Sequence, residues 1–226
     1  SQENDYKITH LADSFEEFIR GLEHESLYDL DEDIEDLEDD ADEEETDCKG
    51  SFAGSVLLSE AEWDKEQLIR DLREEWGIAD EEPDEGDEED ANSDDAVVMR
   101  VGNMMLIVTL FHGHIPNNEA EVNAKNNYMW PEAVEAAKAH KAHIMVAVLG
   151  EEEKLLERGK LFTKAMAVCC KQKYATGVYT SGVVFEPRFY EGLADMMKED
   201  ELPIFNWIWF GLYRSEGGLN GYTYGM

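Results

Sequence analysis

Two histidines one residue apart, His112 and His114, close a strand-like run and stand a few residues before Glu119 and Glu121. Alternate side chains of extended chain share a face. The pair with one of those carboxylates could therefore build a two-histidine, one-carboxylate metal site. The plainer reading is a polar strand-to-helix loop, and no second ligand cluster reinforces the metal set. No metal and no other cofactor is therefore expected, with His112 and His114 as weak candidates. His140 and His143 fall at a helix end and in the strand that follows, where a partner at the helix C-terminus or a surface position is expected.

Asn117, Asn118, Asn123, Asn126 and Asn127 crowd the stretch before Tyr128 and Trp130. Asparagine bonds turn backbone and caps helices, so these residues can pin one helix onto the next around Pro131. The alternative is a cleft of neutral donors and acceptors lined by Glu119, Asn126, Asn127, Tyr128 and Trp130, the tentative binding site. Catalytic arrangements are scarce. Ser181-Gly182 is no nucleophile elbow, and neither a P-loop nor a dinucleotide fingerprint occurs. Cys169 and Cys170 follow an apolar helical stretch and suit core packing. No catalytic residue is assigned, and an enzyme is the minority reading.

The elements that must position these residues follow from periodicity. Strands are expected at 52–58, 96–101, 104–110, 142–149 and 175–179, the second and third joined by a Gly102-Asn103 hairpin turn. Helices are expected at 64–76, stopped by Gly77, and at 117–127, 131–140, 151–172 and 187–199. A closing hairpin turns at Gly217-Gly218. In its first strand Phe205, Trp207, Trp209 and Tyr213 alternate with Ile208, Phe210 and Leu212. Apolar residues on both faces mark a central, buried strand. Mixed hairpins and crossover helices make the class α+β: a mostly antiparallel sheet with helices packed on it, in one main domain.

The 226 residues carry a formal net charge of −35, and 42% are hydrophobic, with five tryptophans. Two acid runs, 29–47 and 80–95, hold about 25 of the 54 acidic residues and no base. Like charges at this density oppose a stable isolated helix. We therefore read 29–50 as an acidic flexible linker and 80–95 as an expanded loop within the domain spanning 51–226. Outside the runs, 50–79 with 96–226 is only about −6. Few basic residues surround the aromatic strand, so nucleic-acid binding is disfavoured. The longest apolar runs fall far short of the roughly 20 residues that span a bilayer. No membrane association is expected, and a cytoplasmic location is the default. Cys48, Cys169 and Cys170 lack disulfide or zinc spacing and read as reduced thiols.

Within residues 1–28, Phe15, Phe18, Ile19 and Leu22 form one helical stripe after a strand-like 6–10. The sequence YKITHLADSFEEFIRGL resembles the carboxyl-terminal strand and helix of SUKH-superfamily proteins. The segment from Gly54 onward resembles a bacterial family designated domain of unknown function 4261. Its carrying motifs are Ser55-Val56-Leu57-Leu58, Asn126-Asn127-Tyr128-Met129-Trp130-Pro131-Glu132-Ala133, AHIMVAVLG at 142–150, Gly177-Val178-Tyr179, 207–214 and Tyr222-Thr223-Tyr224-Gly225. The second resemblance implies no particular chemistry. The first implies bacterial immunity, since SUKH proteins are associated with neutralising polymorphic toxins, many of them nucleases. A multi-domain immunity protein whose partner is a protein toxin domain is the function so implied. Ser1 is not an initiator methionine, and members of the second family commonly continue past the final Tyr-Gly, so a fragment or a processed chain is expected.

Overall fold

The computed structural model describes residues 52–80, 93–151, 154–215 and 218–225, all within the unit Asp47–Met226. The SUKH-like segment, the first acid run and the interior of the second lie outside the described residues. The class is α+β. A six-stranded sheet has the order β2-β3-β4-β1-β5-β6, with every neighbouring pair antiparallel. Its strands are β1 (Phe52–Leu58), β2 (Ala96–Val101), β3 (Met104–Phe111), β4 (Ala142–Leu149), β5 (Ala175–Thr180) and β6 (Val183–Phe185). β1 and β2 flank the second acid run and belong to one sheet, so that run lies inside a domain.

Register assigns the two faces. Val56 and Leu58 of β1 point into the larger core with Val97, Leu106, Val146 and Val178, whereas Leu57 points into a second, smaller cluster. Three helices cover the larger core. Helix α1 (Lys65–Trp76) starts where the Asp64 side chain accepts the Gln67 amide at 2.8 Å. It stops where Gly77 turns left-handed at φ 65° and the Gly77 and Ile78 amides bond back to Arg73 and Leu72. Its inward residues Leu68 and Leu72 are one turn apart and fully buried. They face α4 (Leu155–Cys169), which in turn meets α5 (Pro187–Ala194). Cys169 and Cys170 are both buried in this core. Burial pushes both thiols well above the ordinary range.

The smaller cluster is built from Leu57, Val184, Ala120, Ala124, Ala133 and Ala137. The alanines let α2 (Glu119–Asn123), the 3-10 turn Ala124–Asn126 and α3 (Ala133–Ala139) lie close against β5 and β6. The expected single helix over 117–127 is thus broken. Asn117 and Asn118 take φ of 57° and 54°, a left-handed conformation that asparagine tolerates better than most residues. Strand β6 was not expected, because three residues carry no readable period.

The closing hairpin differs from the sequence reading. Phe205 and Trp207 sit in a short helix, α6 (Ile204–Trp207), so they do not share a strand face with Trp209 and Tyr213. Among the described residues, β7 (Ile208–Ser215) pairs only with β8 (Gly218–Gly225), as a separate two-stranded sheet rather than a central strand. Trp209 anchors its base in the core, packed edge-on against Phe185 at 5.7 Å. Beyond it Leu212 and Tyr213 are exposed.

Candidate functional site

The stretch 118–127 presents three faces, each at helical spacing. Ala120 and Ala124 turn inward to the small cluster, followed by Asn127, which is buried. Asn127 donates to Val184 O at 2.7 Å, while its Oδ1 accepts the amides of Met129 (2.9 Å) and Trp130 (3.0 Å). Its side chain is committed to fastening this segment to β6 and shaping the turn before Pro131.

The second face, Glu119, Asn123 and Asn126, leans on the β5–β6 hairpin. Tyr179 donates its hydroxyl proton to Glu119 Oε1 at 2.5 Å and accepts from Asn123 Nδ2 at 3.1 Å. Asn126 donates to Gly182 O at 2.9 Å. Burial, then the Glu119 carboxylate, pushes the Tyr179 phenol up, so it stays protonated. The five residues expected to line one cleft do not converge. Glu119 and Asn126 brace the hairpin, Asn127 is an internal fastener, Trp130 packs on the small cluster, and Tyr128 faces the β7–β8 sheet.

The third face, Asn118, Glu121, Val122 and Lys125, lines an open cleft of about 470 Å³ with His114 and Lys138. This cleft was missed from sequence, although Asn118, Glu121, Val122 and Lys125 have the i, i+3, i+4, i+7 spacing of one helix face.

The histidines regroup around the cleft. His112 and His114 do not share a ligand face, because the strand ends at Phe111 and the chain bends at His112 and Gly113. His112 Nε2 turns to Asp95 at 3.1 Å and His114 Nδ1 to Glu121 Oε1 at 3.5 Å. The second imidazole beside His114 is His140, with ring centroids 4.4 Å apart. Ligand atoms of His114, Glu121 and His140 all lie within 4.8 Å of one another.

Of the two positions expected, His140 takes the helix C-terminal one, and neither it nor His143 lies at the surface, since both are buried. His140 ends α3 and donates from Nδ1 to Ala137 O, which satisfies a helix-terminal carbonyl, while its Nε2 accepts the Ile115 amide at 3.0 Å. His143 donates from Nδ1 to Gly113 O at 3.0 Å and stacks on Phe111 at 5.2 Å. Burial lowers both imidazole pKa values, against the raising effect of those carbonyl bonds. Two neutral rings thus hold the loop 113–115 from below and present His114 upward. Glu121 Oε2 is buried and has no hydrogen-bond partner among the described residues.

No protein-family model, no curated protein and no solved structure matches the chain.

Proposed function

We propose that the chain is a non-catalytic bacterial binding protein of the toxin-immunity type, acting in the cytoplasm by occluding a protein toxin domain. The observation that carries this reading is the aromatic surface around the closing hairpin. Phe205, Leu212, Tyr213 and Tyr128 are each 52–54% exposed, with Tyr222, Tyr224 and Met129 exposed beside them. Tyr128 ties the patch to the domain, donating to Phe210 O at 3.1 Å and packing on Trp209 at 5.1 Å.

Exposed apolar patches of this kind mark interaction sites, and tyrosines are favoured energetic anchors within them. The SUKH-like motif supports a toxin as the partner. The net charge of −35 supports a basic one, such as a nuclease, whose association acidic side chains would steer.

Pull-down of any toxin domain encoded beside this chain, with protection in a growth assay, tests the reading. Replacing Leu212 and Tyr213 by alanine together should weaken binding by about thirtyfold, the scale of a hot-spot loss, with an unchanged circular dichroism spectrum. Neither binding nor protection by the unaltered chain would sink it.

A further inference from the structure

We propose that His114, Glu121 and His140 bind a divalent transition-metal ion of the zinc class at the cleft above α2. This site is independent of the aromatic surface and of the toxin-immunity reading.

Three observations converge on it. The first is the donor set: two imidazoles and a carboxylate, with all ligand atoms within 4.8 Å. A tetrahedral ion with bonds of about 2.0–2.1 Å holds its ligands roughly 3.4 Å apart. The His114–Glu121 pair, at 3.5 Å, already has that separation. The His114 side chain is exposed and can adjust.

The second is Glu121 Oε2, buried without a partner among the described residues. A buried carboxylate oxygen calls for a partner, and a bound ion or an ordered water supplies one. The third is the orientation of His140. Its Nδ1 bonds Ala137 O, which fixes the tautomer and makes Nε2 the unprotonated nitrogen of the ring. Imidazole ligands of zinc are commonly oriented in this way. The Ile115 amide meets that nitrogen at 3.0 Å, so metal binding must exchange this one hydrogen bond for a metal–nitrogen bond.

With three protein ligands the ion keeps a coordination position for an outside group, as in catalytic rather than structural zinc sites. Lys125 and Lys138 line the same cleft. Their ammonium groups favour an anion there, so the exogenous ligand class is a carboxylate or phosphate oxygen.

The test is zinc titration of the full chain after chelator treatment, in excess magnesium so that a hard cation occupies the acid runs. One zinc per chain is expected, with cobalt competing and giving visible absorption bands. His114→Ala and Glu121→Gln should each weaken binding by at least the roughly tenfold to hundredfold cost of losing an outer-shell partner. His112→Ala, whose ring pairs with Asp95, should leave it unchanged. On binding, the Ile115 amide resonance should shift and exchange faster with solvent. Absence of stoichiometric binding in magnesium overturns the proposal, as does binding untouched by both ligand substitutions. An unperturbed Ile115 amide overturns the part given to His140.

Discussion

His143 is a buried imidazole whose pKa lies below its ordinary 6.5, first because burial penalises the charged ring and then because His140 is near. The unfolded chain therefore takes up a proton at a pH where the folded chain does not. The stability this neutral ring contributes is fully present above about pH 6.5 and is lost as pH falls from there through the depressed folded value. Aspartate and glutamate titrate near 4, so the interval from about pH 7.5 to 5.5 isolates histidine. Urea midpoints should fall over that interval, and fall less in His143→Gln. An equal decline in both proteins would assign the effect elsewhere. Cys169 and Cys170 allow a second check at this scale. Buried thiols with raised pKa values are poor nucleophiles. Iodoacetamide should leave both unmodified in the native protein and label them once urea unfolds it, as peptide mass mapping would read. The residue scale is also where sequence told least about the site. His114 was visible as a candidate, but its neighbour is His140, 26 positions on, brought in by α3 and the turn into β4. Spacing along a chain cannot show a pairing that the intervening helices and turns create.

At the scale of elements, close approach sets the tolerances. A Cβ on Gly54 would come 2.9 Å from Phe162 Cζ and 3.1 Å from Met166 Cε, so β1 and α4 pack with no room for a side chain. Gly54→Val should cost about 1–3 kcal/mol, the usual range for overpacking. Shortening the facing ring in Gly54→Val/Phe162→Leu should recover part of that, as a urea double-mutant cycle would measure. Asn127 bears the corresponding polar constraint. Asn127→Ala leaves Val184 O and two turn amides without their partner, at about 1–3 kcal/mol for a buried group so stranded. Urea unfolding should register the loss, whereas an unchanged midpoint would return Asn127 to the cleft expected from sequence. Elements with strong local signals were legible: Gly102-Asn103 turns β2 into β3, and Gly77 stops α1. The closing hairpin was legible as a hairpin, but its place was not. Apolar residues on both faces of β7 mean burial in a central strand, yet here they leave Leu212 and Tyr213 exposed on a ribbon. A period-2 pattern cannot separate a partner within the fold from one outside it.

For the whole molecule, the question is what the charge of −35 does. The ends of the second acid run are fastened to the sheet. Asp80 Oδ1 accepts the Arg100 amide at 2.8 Å, and Asp95 O accepts the Leu110 amide at 2.8 Å while its carboxylate meets His112. These anchors contribute to folding through specific bonds, whereas the acids at 81–90 contribute net charge. Replacing the acidic residues between 81 and 90 by serine and asparagine, at constant length and with Asp80, Asp94 and Asp95 kept, separates the two roles. On the sequence reading of 80–95 as an expanded loop, such changes should alter stability by no more than about 0.5 kcal/mol, so the urea midpoint should hardly move. Association with a basic partner depends instead on the long-range field. Its rate constant should drop roughly tenfold at low salt. The difference should vanish once the screening length falls to about 3 Å near 1 M salt. Stopped-flow association over a salt series measures this directly. Loss of folding would make 81–90 structural. A salt-independent drop in affinity would instead place those carboxylates in the contact itself.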